Sequence, residues 1–316
     1  MNSSVTQGTS LPIRPHVPPS TTMRLGEHFS SFAIPIDHHV TISGWQTGSG
    51  PALLLLHGFP QTHLIWHKVA ERLSATYTVV ALDLRGYGAS SKPADTDGSH
   101  ARYAKSAMAR DCATVMARLG HPQFFVVGHD RGGRVAHKLA VDYPTRVRRL
   151  MVLDIAPTLA MYDATDRVFA TWYWHWFFLI QPAPFPERLM LAAPDVMIAK
   201  FLRMPNGDFH PDAYEEYAAQ LRDAATVHGM CEDYRASSTC DLEESKEDLE
   251  KGRKIKCPVK AIWGAKGLIQ IKFNAVDEWK KVCDNADVTG QAFDCGHYIP
   301  EEKPDELLAA IEDFMK

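Results

Sequence analysis

The sequence predicts an α/β fold: a mostly parallel, doubly wound sheet with a helical cap inserted late in the chain. Three observations lead there. Short apolar runs bounded by Gly or Asp alternate with longer helical stretches, the pattern of βαβ units. The runs are apolar throughout rather than alternating, so they read as strands covered on both faces. The alternation stops between Pro157 and Arg253, where the aromatic stretch ATWYWHWFFLIQPAPFP gives way to helix formers. An insertion between two strands of such a sheet lies over the strand C-termini, where open α/β sheets bind ligands.

Each element follows in order. The first residues, SSVTQGTSLPIRPHVPPSTT, lack the apolar stretch of a secretory signal. The segment is free of acids and carries Arg14, as a transit peptide would, but its prolines break an amphipathic helix. Residues 1–22 are therefore expected to be a disordered tail. Ser31 to Ile36 and His39 to Trp45 alternate and suit antiparallel edge strands. Buried strands are expected at Ala52 to Leu56 (ALLLL), Tyr77 to Leu82, Phe124 to Val127, Leu150 to Leu153 and Val259 to Trp263. Helices are expected at Tyr103 to Leu119 and Gly133 to Tyr143. The expected organisation is a core of residues 23–156 and 254–316 with a cap of residues 157–253.

Composition narrows the function. The chain has 316 residues, 45% hydrophobic and 23% charged, which excludes wholesale disorder and coiled coil. No apolar run reaches the roughly 18–20 residues needed to span a bilayer. A net charge of −4 gives no footprint for nucleic acid or anionic lipid. Six cysteines without a C-x-x-C pair read as reduced thiols in a cytoplasmic protein.

Gly128-His129-Asp130-Arg131-Gly132 follows a strand and precedes a helix, the context of a nucleophile elbow. The nucleophile position holds Asp130. A carboxylate there attacks carbon and forms an alkyl-enzyme ester, and the helix N-terminus behind it favours its ionised form. Read alone, Asp130 is as well explained as a helix N-cap. The other motifs decide against that. In His57-Gly58-Phe59-Pro60, after ALLLL, the amide of Phe59 can join that of Arg131 in an oxyanion hole. Cys295-Gly296-His297 places His297 after the last strand, where a base must return to reach the elbow. The loop after VKAIW reads Trp263-Gly264-Ala265-Lys266-Gly267 and lacks a carboxylate, so the acid that orients His297 is Asp154, after LMVL. Arg131 and Arg134 are spaced i, i+3 and share a helix face, which suits an anionic carboxylate substrate. His63 and His67 are spaced i, i+4, but HLIWH lacks the Glu of H-E-x-x-H. It reads as a surface or lid-facing helix with no metal.

With these residues the chain resembles the α/β-hydrolase superfamily and, more narrowly, the fluoroacetate (haloacetate) dehalogenases. The supporting strings are LLLLHGFPQTHLIWH, VVALDLRGYGASSKP, VVGHDRGGRVAHKLA, YWHWFFLIQPAPFPERL, HGMCEDYRASSTCDLE and CGHYIPEEKP, which run from Ala52 to the C-terminus. The resemblance implies Asp130 as nucleophile, His297 as base, Asp154 as acid, and Arg131 with Arg134 as the clamp on a substrate carboxylate. It implies His175, Trp176 and Tyr234 as halide-binding donors. Trp172 and Trp174 are then expected to be packing residues of the cap. The implied substrate is a small halogenated carboxylate, with no metal or organic cofactor, and the implied assembly is a homodimer.

Two other readings compete. Epoxide hydrolases share the Asp nucleophile and use two cap tyrosines to protonate the epoxide oxygen. Tyr162, Tyr173, Tyr214, Tyr217 and Tyr234 all lie in the cap. Those enzymes, like haloalkane dehalogenases, usually carry Trp where this chain has Arg131. A hydrolase-like receptor or scaffold is the non-enzyme reading, and the complete set Asp130, His297 and Asp154 argues against a scaffold. The loop GAKGLIQIK (264–272) fits no part of the dehalogenase pattern and leaves room for a larger carboxylated metabolite.

Overall fold

A computed structural model describes residues 23–205, 207–284 and 287–316. The tail expected at residues 1–22 lies outside the described residues. Eight strands form one sheet: β1 (Ser30–Pro35), β2 (Thr41–Thr47), β3 (Ala52–Leu56), β4 (Thr78–Leu82), β5 (Phe124–His129), β6 (Val147–Leu153), β7 (Val259–Gly264) and β8 (Val288–Phe293). Their order is β1-β2-β4-β3-β5-β6-β7-β8. β2 runs antiparallel to both β1 and β4, and all later neighbours pair in parallel.

The central strands carry apolar side chains on both faces because both faces are covered. Leu54, Leu56, Val80, Leu82, Val126 and Val152 belong to one hydrophobic cluster. Leu53, Leu55, Val79, Ala81, Val127 and Leu153 belong to the cluster on the other face. The division follows the two-residue repeat of a strand. β8 reads VTGQAF, half of it exposed and only Phe293 buried, so it carries no apolar run by which to locate it. The helix expected from Tyr103 breaks at Ala104 into a 3-10 turn, Ala101–Tyr103, and an α-helix, Lys105–Arg118.

Between β6 and β7 the described chain forms eight helices, from Thr158–Asp163 to Cys240–Glu250. The longest, Ala224–Ser238, sends Asp233 down to Tyr87, Lys105 and Arg131 beneath it. No described helix is long and apolar enough to cross a membrane.

HLIWH departs from expectation. It is a buried 3-10 turn, His63–Trp66, not a surface helix. His63 stacks on Trp45 with ring centroids 3.4 Å apart and its Nδ1 lies 2.9 Å from the Asp83 carboxylate. His67 Nδ1 instead meets the carbonyl of Leu64. A 3-10 turn does not align i, i+4 side chains as an α-helix does, so the two rings part.

Candidate active site

The turn from β5 into helix Arg131–Asp142 fixes Asp130. Its φ of 46° and ψ of −115° are strained for a residue with a side chain, and the crowding around the elbow holds them. A Cβ on Gly132 would lie 2.3 Å from the carbonyl of His57, and one on Gly58 would lie 2.6 Å from the Asp130 Cβ. Glycine is required at both positions for the two loops to approach. That approach brings the Phe59 amide to Asp130, where it donates to Oδ2 at 3.1 Å. The Arg131 amide opens the helix directly behind the same carboxylate.

His297 reaches the elbow from the loop after β8, with Nε2 4.0 Å from Asp130 Oδ2. Its Nδ1 lies 2.6 Å from Asp154 Oδ2. Asp154 sits just past β6 with φ 53°, and its Oδ1 accepts from the Gly264 amide at 2.9 Å. The end of β7 therefore supplies a backbone donor in place of the carboxylate absent from the loop that follows. Asp294 is exposed and pairs with Lys266.

Burial raises the Asp130 pKa, but the charges of His297, Arg134 and Arg131 outweigh it and hold the carboxyl below its ordinary value. Burial lowers the His297 pKa, and the hydrogen bond and charge of Asp154, followed by the charge of Asp130, more than reverse this.

Both predicted clamp arginines are buried beside Asp130. Arg131 gives Nε and Nη2 to the Asp233 carboxylate at 2.9 and 2.7 Å, and its guanidinium lies 4.2 Å above the Tyr234 ring. Arg134 gives Nη1 to Thr158 Oγ1 at 3.0 Å and lies 4.7 Å above the Trp176 ring. Arg131 Nη1, Arg134 Nε and the Tyr234 hydroxyl are buried with no hydrogen-bond partner among the described residues, and so is the Tyr162 hydroxyl.

His175, Trp176 and Tyr234, the residues implied as halide donors, lie together. His175 stacks on Phe59 at 6.1 Å and meets the edge of Tyr234 at 5.9 Å, with Trp176 6.4 Å from Tyr234. Burial pushes the His175 pKa down to about 3, which keeps the ring neutral, and holds the Tyr234 hydroxyl protonated. Trp174 packs against the core and stacks on Phe201 at 5.7 Å, whereas the expectation for Trp172 is corrected. Trp176 is 1% exposed, whereas Trp172 is 47% exposed. Trp172 and Trp174 line a cavity of about 440 Å³ with Asp130, His297, Lys200 and Arg203. They form walls of an approach to Asp130, where a half-wet indole is at home.

Asp233, Lys105 and the Gly264 amide escaped the sequence reading. The signal for Asp233 was present in CEDYRA: a buried arginine beside the nucleophile demands a counter-ion, and Asp233 adjoins Tyr234.

The chain matches the model of the alpha/beta hydrolase fold family over residues 51–304. It is 44% identical over 283 residues to a fluoroacetate dehalogenase from Burkholderia sp, covering 87% of this chain and 90% of that one. It is 31% identical over 289 residues to a soluble epoxide hydrolase from Corynebacterium sp. (strain C12), covering 88% and 96%. A solved α/β-hydrolase-type structure from Nostoc sp PCC 7120 superposes with a TM-score of 0.87 at 47% identity, covering 91% of this chain and 98% of that one. With a strained elbow aspartate, a histidine and a second carboxylate meeting at the C-terminal ends of the parallel strands, the chain belongs to the α/β-hydrolase fold family.

Proposed function

We propose that the protein is a hydrolytic dehalogenase of short 2-haloacids such as fluoroacetate and chloroacetate, with residues 157–253 serving as the cap over its site. One observation carries the reading. Arg131 Nη1, Arg134 Nε and the Tyr234 hydroxyl are buried donors without partners among the described residues, close to an ionised Asp130. Unpaired buried donors are costly. A substrate with a carboxylate at one end and a halide at the other satisfies them.

In the first step an Asp130 carboxylate oxygen attacks the α-carbon, and the carbon–halogen bond breaks with its electron pair leaving on the halide. The neutral donors His175, Trp176 and Tyr234 receive the halide. In the second step His297 takes a proton from water, and the hydroxide adds to the Asp130 carbonyl carbon. The resulting oxyanion keeps the Phe59 N–H that Oδ2 already holds, joined by that of Arg131. Collapse expels the hydroxy acid, whose oxygen receives the proton from His297. The carboxyl proton of Asp130 leaves to solvent. Esterification removes the negative charge 4.0 Å from His297, which lowers its pKa when a neutral base is needed.

The test is halide release from fluoroacetate and chloroacetate by wild type beside Asp130→Asn. Release by wild type alone is expected. No release from either acid overturns the reading. A second reading, epoxide hydrolysis, is favoured by the unpartnered hydroxyls of Tyr162 and Tyr234, whose rings flank Trp176 at 4.9 and 6.4 Å. Turnover of an epoxide panel without halide release would select it.

A further inference from the structure

Arg131 has an unusual attachment for a residue offered to a substrate. Three of its five N–H bonds are committed to one buried residue of the cap. Nε and Nη2 donate to the two Asp233 carboxylate oxygens, and Nη2 also donates to the Asp233 backbone carbonyl at 2.8 Å. Among the described residues, Nη1 alone of the three nitrogens has no partner. Asp233 is itself held from two more directions. The Tyr87 hydroxyl donates to Oδ2 at 2.8 Å, and Lys105 Nζ donates to Oδ1 from the start of helix Lys105–Arg118. Lys105 also reaches Asp241 at 3.2 Å. All of these side chains are buried, and the neighbouring charges of Arg131 and Lys105 outweigh burial to hold Asp233 ionised.

A bidentate guanidinium–carboxylate pair fixes the plane of the arginine. With Nε and Nη2 occupied, the direction of Nη1 is set by Asp233 and no longer by rotation about the side-chain bonds. Lys105 and Tyr87 in turn fix the plane of the Asp233 carboxylate. We propose that Asp233, braced by Lys105 and Tyr87, is a positioning residue that aims Arg131 Nη1 at the substrate carboxylate, so that the cap and the core jointly set selectivity for anionic substrates. The inference rests on Arg131 holding that carboxylate.

The sign of one effect separates aiming from simple charge. Asp233→Asn removes a negative charge next to Arg131, so a purely electrostatic role predicts tighter binding of an acid. Aiming predicts weaker binding, because Arg131 regains freedom. The double variant Asp233→Asn with Lys105→Met removes one charge of each sign. It leaves the net charge unchanged and avoids stranding Lys105 opposite an amide, so it guards against misfolding of the single variant.

Chloride release is measured for chloroacetate and for chloroacetamide, its neutral counterpart. In both variants the chloroacetate KM is expected to rise about tenfold or more, and the chloroacetamide KM by less than about threefold. A chloroacetate KM that is unchanged or lower, or equal rises for acid and amide, overturns the proposal. If wild type releases no chloride, the dehalogenase reading fails by itself. The positioning claim is then decided by calorimetric titration of wild type and the double variant with chloroacetate. Weaker binding by the variant supports the claim, and equal or undetectable binding by both overturns it.

Discussion

In the proposed reaction, Asp130 works through neighbours that act in opposite senses. Arg131, Arg134 and His297 keep it ionised against the penalty of burial. The Phe59 amide holds one oxygen and thereby assigns attack to the other. In that reaction His297 is needed only after the halide has left. His297→Gln is therefore expected to release about one halide per active site and then stop, leaving an ester on Asp130. Rapid-quench halide assay and intact-protein mass spectrometry check this, and continuous turnover would refute it. The same division predicts the pH behaviour. A general base works above its pKa, and the step that needs His297 runs in the ester, where the Asp130 charge that helps raise its pKa is gone. Steady-state turnover should fall as pH drops through the pKa of His297 in that ester. Single-turnover halide release should persist, because Asp130 stays ionised. At the carboxylate end, Arg134→Lys keeps the charge but loses the planar N–H array and its place over Trp176. The chloroacetate KM should rise at least about tenfold in steady-state kinetics.

At the scale of elements, the site is a junction of loops at the C-terminal ends of neighbouring strands. β3 delivers the Phe59 amide, β5 Asp130, β6 Asp154, β7 the Gly264 amide and β8 His297. Their close approach depends on bare backbone. Gly132→Ala places a methyl against the carbonyl of His57 and should cost roughly 2–4 kcal/mol of stability, measured by chemical denaturation. The strands that form this junction were legible from the sequence because burial on both faces leaves continuous apolar runs. β3 matches its expected bounds. β8 was not legible, because an edge strand with VTGQAF exposes half of its residues and needs only its neighbour's backbone to form. HLIWH misled for a related reason. Its spacing suits an exposed α-helix, yet packing forces it into a buried 3-10 turn against Trp45 and Asp83.

At the scale of the molecule, the segment between β6 and β7 and the sheet are joined by buried polar contacts. One junction is the Asp233 network. Another lies at Glu301, behind His297, where the Tyr217 hydroxyl donates to the buried carboxylate at 2.9 Å and Lys68 stands 3.5 Å away. Burial pushes the Glu301 pKa up to about 7 from an ordinary 4.5. A raised carboxyl pKa favours the folded state while the group is neutral. That contribution is complete below about pH 4.5 and is lost as pH rises through about 7. Its size is of the order of 3 kcal/mol. Glu301→Gln, which is neutral at every pH, should raise the melting temperature at pH 8.5 relative to wild type and change it little at pH 5. Thermal scans at the two pH values check the sign.

The sequence by itself determined the sheet's central strands, the insertion and the residues of the elbow. Each is written in local order: apolar runs of strand length, a break in their alternation, and glycines around an aspartate. It also nominated the arginines and the aromatic donors, through strings whose residue types suit an anion and a halide. Tertiary structure alone decided which of their polar atoms remain free. Arg131 is largely spent on Asp233, a residue 102 positions away, and Trp176 is sealed while Trp172 stands in the approach. Hydrogen-bond satisfaction is settled between distant segments once the chain has closed on itself, and no local pattern records it.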